Sequence, residues 1–123
     1  MELPIDPEAL RRVLRRHGVR FALVFGSHAD GSAGAHSDID LGVWADGPLD
    51  LWSLTGALDE RVDVVDLRRA PEGLAGRVAL TGVILLDDDP AARVRWQADT
   101  RKRYLDEAPR RAAFQRDFAA AHG

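Results

Sequence analysis

The sequence predicts one α/β (α+β) domain spanning 1–123. It is built on a mixed sheet of about four strands, with helices packed on one face and the functional surface on the other. Three observations carry this reading. Four short apolar stretches, 19–25, 37–44, 61–67 and 83–86, are rich in β-branched and aromatic residues. Segments of helical periodicity separate or follow them, giving the order α-β-β-α-β-α-β-α-α. The 123 residues, 46% apolar and 30% charged, are enough for one compact core and argue against disorder.

The elements follow in order. Asp6-Pro7-Glu8 opens a helix: Asp caps free amides and Pro fits the first turn. Leu10, Val13 and Leu14 share one face of it, and Gly18 is its stop. Residues 19–25 form a strand with Val19, Phe21, Leu23 and Phe25 on one face. Residues 26–37 are small, polar and punctuated by glycine, which predicts a loop with room for one helical turn. Residues 37–44 are the second strand, broken by Asp46-Gly47-Pro48. Residues 50–58 are a short helix with Leu51, Leu54 and Leu58 inward. The third strand is 61–67, a helix covers 71–80, and 83–86 is a short fourth strand. Asp87-Asp88-Asp89-Pro90 ends that strand and starts a helix to about Leu105. Pro109 restarts a last amphipathic helix carrying Phe114 and Phe118. The helices of 90–123 are expected to be a packing or partner-binding extension.

Composition excludes several classes. A net charge of −3 lacks the basic excess of a nucleic-acid binder. Without cysteine there are no disulfides and no thiolate metal site. No apolar run approaches the ~20 residues of a membrane span. Met1 leads into a polar, helix-starting segment without an apolar signal region, so a cytoplasmic location is expected.

The chemistry-bearing segment is Gly26-Ser27, ten residues, then Asp38-Ile39-Asp40. In a strand, residues i and i+2 point to the same face, roughly 7 Å apart. Asp38 and Asp40 therefore share one face, and Ile39, Leu41 and Val43 the other. Two close carboxylates repel, and one tends to keep its proton. A divalent cation removes the conflict, and Mg²⁺ suits a site of few carboxylates completed by water and phosphate. In Val62-Asp63-Val64-Val65-Asp66, inward valines at 62 and 64 turn Asp63 to the side of Asp38 and Asp40. Asp66, the rival third acid, falls on the core side or beyond the strand end. Gly26 allows unusual backbone angles and close approach to a ligand. Amides at such a strand-to-turn corner can point together at an anion, and Ser27 can donate to a phosphate oxygen.

These residues resemble the signature of the DNA-polymerase-β-like nucleotidyltransferases: GS, a ten-residue spacer, then DxD, here within Ser37-Asp38-Ile39-Asp40-Leu41. The stretch Val62-Asp63-Val64-Val65-Asp66-Leu67 matches the position of their third acid at Asp63. The short chain resembles the minimal subgroup, which includes antitoxins encoded beside a HEPN-domain RNase toxin. The resemblance spans roughly 19–86. It implies that Asp38, Asp40 and Asp63 are catalytic and hold two Mg²⁺ ions, with Asp63 helping as base. It also implies that Gly26, Ser27 and Ser37 bind the nucleotide. ATP would be the substrate and a tyrosine hydroxyl of the toxin the AMP acceptor, with no direct contact to nucleic acid or membrane. Relatives often read Gly-Ser-Arg-Ala-Arg-Gly after the first strand; this chain reads Gly26-Ser27-His28-Ala29-Asp30-Gly31. Either Asp30 faces solvent or its charge weakens nucleotide binding. A small-molecule hydroxyl as acceptor, or neutralisation by binding alone, are the alternatives.

Other polar residues have plainer expectations. His28 and His36 are expected in solvent, and 87–89 as a strand end and helix cap. Trp96 and Tyr104 should pack inward with Arg93, Arg101 and Arg103 on the outer face, and Arg68 and Arg69 should lie in a solvated loop.

Overall fold

A computed structural model describes residues 1–122, without the side chains of 118, 119, 121 and 122. The elements are α1 (Pro7–Arg16), β1 (Phe21–Phe25), α2 (Ser27–Asp30), β2 (Ile39–Trp44), α3 (Leu51–Ala57), β3 (Val62–Asp66), α4 (Glu72–Thr81), β4 (Val83–Asp87), α5 (Pro90–Asp106) and α6 (Ala108–His122). Helix α1 begins as its sequence dictates. Asp6 accepts from Glu8 N at 3.0 Å and Pro7 takes the first turn. It ends at His17, and Gly18 turns the chain at φ +82°.

The four strands lie in the order β3-β2-β1-β4. Strand β1 pairs antiparallel with β2 and with β4, and β2 pairs parallel with β3. The hairpin β1–β2 spans the glycine-punctuated loop, and the parallel step β2–β3 is made through α3. This is the mixed four-stranded sheet expected from the sequence.

On one face α1 and α3 contribute Leu10, Leu14 and Leu54, which meet Ala22, Val24, Ile39, Leu41, Val43 and Val62. The other face is covered in part. Helices α4 and α5 pack there, with Val78 and Trp96 over Phe21 and Leu23. Phe21 stacks on Trp44 at 5.0 Å and meets Trp96 at 5.8 Å. Helices therefore flank both faces, where one covered face was expected. The reason lies in β1: it is a central strand, and Ala22 and Val24 are as buried as Phe21 and Leu23. An apolar strand on both sides requires cover on both sides. Val19 also departs from expectation. It precedes the strand, its N–H bonds Leu14 O at 3.1 Å, and it joins the α1 core rather than the Phe21 face.

Long-range polar contacts fasten the frame. Arg11 Nε donates to Leu85 O at 2.7 Å, and Arg15 donates to both carboxylate oxygens of Asp88 at 2.8 and 3.1 Å. Asp89 caps α5 by accepting from Ala92 N at 3.1 Å, so 87–89 behaves as strand end and cap. The last helix departs from the expected amphipathic pattern: Phe114 is 70% exposed, and Phe118 lies outside the described side chains.

Candidate functional site

Strand pairing puts the acids together. In the β1–β2 ladder Asp40 stands opposite Phe25, and in the β2–β3 ladder it stands beside Asp63. Paired residues share a face, so Asp40 and Asp63 lie on the side of Leu23 and Trp44. Helices α4 and α5 cover the β1 part of this side. The part over β2 and β3 is left open enough for Asp38 and Asp63 to be exposed and Asp40 half-buried. Asp66 is paired with Val43 and points to the opposite face. It is buried there and accepts from Arg68 N at 3.0 Å, which makes it a turn cap.

Electrostatics distinguish Asp40. Burial raises its pKa above the usual carboxylate range, and the neighbouring charges of Asp63 and Asp38 raise it further; His28 acts in the opposite sense. This is the like-charge conflict that a divalent cation relieves. Among the described residues no group of three acids or histidines is gathered tightly enough to hold a metal ion. The donor set nonetheless fits Mg²⁺ by its chemistry. All the donors are hard carboxylate oxygens, two of them adjacent across a rigid ladder. Asp38 and Asp63 are exposed and their carboxylates make no hydrogen bond or ion pair among the described residues, so both can turn toward a cation.

Gly26 roofs Asp40. Its backbone sits at φ 72°, ψ −148°, which L side chains rarely adopt. A Cβ at this position would run into the Asp40 carboxylate. Glycine is thus required twice, for the angle and for the close approach. Gly26 caps the single helical turn α2, whose Ala29 and Asp30 amides bond Gly26 O at 3.1 Å. Ser27 is the first residue of that turn. His28 is half-buried rather than solvated: its Nε2 lies 3.1 Å from Ser37 O, which ties the turn to the residue before Asp38. His36 is exposed. Ser37 Oγ accepts from Gly34 N at 2.9 Å and so shapes the loop.

Asp30 is exposed and is held by Ser32, whose N and Oγ donate to it at 2.9 and 2.6 Å. Those bonds keep its pKa below the ordinary value. It also stands on the rim of the hollow beside Asp40. That cavity, about 350 Å³, is lined by Phe25, Gly26, Ala29, Asp30, Asp40, Leu74, Arg77 and Thr81. A larger hollow of about 840 Å³ runs along α3 by Trp52 and contains none of the acids, so volume does not locate the chemistry here.

Sequence reasoning missed the α4 wall of the Asp40 cavity. Leu74, Arg77 and Thr81 lie at i, i+3 and i+7, one helical face. The spacing was present in the sequence, but nothing local says which sheet face that stripe addresses. Arg68 and Arg69 are exposed in the turn after β3, as expected; Arg68 Nη1 also donates to Ala45 O and Asp46 O at 3.2 and 2.7 Å, closing the turn after β2.

The profile of the family described as "Polymerase beta, Nucleotidyltransferase" matches residues 8–91. The chain belongs to this nucleotidyltransferase family. Solved structures agree. The chain is similar to one described as a toxin-antitoxin with AMP-PNP, at 28% identity and TM-score 0.79, over 94% of this chain and 99% of that one. It is also similar to a Y104A mutant of the toxin-antitoxin MntA-HepT, at 29% identity and TM-score 0.77, over 94% and 98%. A third is the tri-AMPylated Shewanella oneidensis HEPN toxin in complex with MNT antitoxin, at 26% identity and TM-score 0.71, over 92% and 95%. No curated protein matches the chain. As a nucleotidyltransferase, the chain catalyses transfer of a nucleotidyl group, and the fold of these structures is its own. No described helix is long and apolar enough to cross a membrane.

Proposed function

We propose that this nucleotidyltransferase moves AMP from ATP to a tyrosine hydroxyl of a HEPN-domain toxin and thereby acts as its antitoxin. The observation that carries the reading is the Asp40–Asp63 pair across the β2–β3 ladder, roofed by Gly26. Complexes with AMP-PNP and with an AMPylated toxin among the similar structures support the nucleotide and the acceptor class.

Asp38, Asp40 and Asp63 would hold two Mg²⁺ ions. When bound, these neutralise phosphate charge and acidify the attacking hydroxyl. The chain's own residues do the rest. Gly26 lets the backbone approach the phosphates, and the first-turn amide and hydroxyl of Ser27 orient them. Ser37 positions the loop that carries Asp38. Asp63, exposed at the open edge, faces the incoming acceptor and takes its proton. The tyrosine oxygen bonds to the α-phosphorus as the α–β phosphoanhydride bond breaks, and pyrophosphate leaves with the electron pair. This chemistry depends on positioning and charge neutralisation, which a rigid ladder supplies.

The acceptor is large because the acids sit on an open face. The cavity of about 350 Å³ beside Asp40 has little room for a second small substrate with the nucleotide. The domain reading is one catalytic unit over 1–123, in which the helices from about residue 90 serve as the partner face. Leu105 and Phe114 are 56% and 70% exposed there. The work takes place in the cytoplasm, where ATP and Mg²⁺ are at hand.

Labelled ATP, Mg²⁺ and the purified HEPN partner test the reading. Label should pass to the partner and silence its RNase activity. An intact complex that silences the toxin without any label, under every nucleotide tried, would show neutralisation by binding alone.

A further inference from the structure

The cavity beside Asp40 sets a charge problem that the α2 loop does not solve. Its lining carries two carboxylates, Asp30 and Asp40, and one cationic side chain, Arg77. A nucleoside triphosphate brings roughly four negative charges, and bound divalent cations offset only part of that sum together with the acids. The α2 loop offers no arginine; it offers His28, already engaged with Ser37 O, and Asp30.

Arg77 differs from most arginines of this chain. Arg11, Arg15, Arg20, Arg68, Arg93, Arg101, Arg103, Arg110 and Arg111 are each held by a carboxylate or a carbonyl. Among the described residues the Arg77 guanidinium has neither a hydrogen bond nor an ion pair, although Asp30 lines the same hollow. Only its backbone is engaged, where Arg77 O accepts from Thr81 Oγ1 at 2.7 Å. Its helix is fixed, since α4 is buried through Ala75, Gly76, Val78 and Ala79. A cation on a rigid helix, turned to a ligand-sized hollow and left without a protein partner, is preorganised for an anion.

We infer that Arg77 is a nucleotide-binding residue that grips the polyphosphate of the substrate from the α4 side, replacing the positive charge absent from the α2 loop. The inference rests on the nucleotidyltransferase reading above but not on the identity of the acceptor. Phosphate recognition then comes from two walls: backbone amides and Ser27 on one, the guanidinium fork on the other. Asp30 lines the same hollow and contributes to the field in which Arg77 acts.

Binding of Mg²⁺·AMP-PNP and of AMP to the full chain, without acceptor, tests this by titration calorimetry. Arg77→Ala should weaken AMP-PNP about tenfold or more, a loss of about 1.4 kcal/mol per decade, and change AMP by less than about threefold. The salt dependence of AMP-PNP affinity should fall with the lost charge. Asp30→Arg, introduced into Arg77→Ala, should restore most of the affinity by returning a cation to the same hollow. A purely structural role would show neither the polyphosphate selectivity nor this rescue. If the native chain binds AMP-PNP and Arg77→Ala binds it equally well, the inference is overturned and the nucleotidyltransferase reading stands. If the native chain binds no Mg²⁺-nucleotide, both fall. If binding behaves as expected but no partner is labelled, Arg77 keeps its role and the acceptor reading fails alone.

Discussion

At Asp40 burial, two neighbouring carboxylates and a glycine roof meet on one side chain. Its raised pKa means that the native state binds this proton more tightly than the unfolded chain does. Its contribution therefore favours folding below the ordinary aspartate range. It becomes unfavourable as pH rises through that range, and remains so above the raised value. Without metal, Asp40→Asn should thus keep or raise the melting temperature at neutral pH, by a few degrees at most, while abolishing transfer. Differential scanning calorimetry with and without Mg²⁺ reads the stability arm. A large loss of stability would mean that Asp40 is a structural acid. Gly26→Ala should behave oppositely, because the methyl meets the Asp40 carboxylate and the backbone angle is strained. It should cost about 1–3 kcal/mol and remove transfer as well. The facing of Asp40 was legible from strand alternation and that of Asp63 from its valines, whereas Asp38 precedes β2, which begins at Ile39, so alternation does not place it. Arg77 was not legible, because its meaning depends on which sheet face α4 covers.

Among the elements, α4 and α5 explain most of what the sequence hid. Strand β1 reads as one apolar face through Phe21, Leu23 and Phe25, but Ala22 and Val24 are buried too, and so a second layer is needed. That layer depends on close helix packing. Gly76 of α4 lies under the Tyr104 ring of α5, where a Cβ would collide with the ring and its root. Arg101 Nε donates to Ala79 O at 2.7 Å, and Arg111 lies 3.8 Å over the Tyr104 ring, tying α5 to α4 and α6 to α5. Gly76→Ala gains helix propensity of about 1 kcal/mol yet must push α5 away. The net effect should be a loss of about 1–3 kcal/mol, seen as a lower denaturant midpoint. The same shift moves the Leu74–Thr81 stripe, so nucleotide affinity should fall with it. Unchanged stability would show that Tyr104 can yield without cost. Element existence and order were readable from periodicity and breakers. The single turn α2 lies in the loop where the sequence left room for it, while the loss of Val19 from β1 was set by its bond to Leu14 O and its packing on α1.

For the molecule as a whole, the proposed function puts catalysis and partner recognition on different parts of the surface. The acids stand at the open β2–β3 side of the sheet, while the exposed apolar residues Leu105 and Phe114 belong to α5 and α6. Exposed apolar and aromatic residues on a helix are good anchors for a partner. Phe114→Ala should therefore weaken the complex with the HEPN partner about tenfold or more. Asp40→Asn should do the reverse: full complex formation, no AMP transfer. Measured side by side, by calorimetric titration for affinity and by label incorporation for transfer, the two variants separate holding from modifying. Should Phe114→Ala leave affinity untouched, the partner face lies elsewhere, and the open rim around Asp63 becomes the surface to probe next.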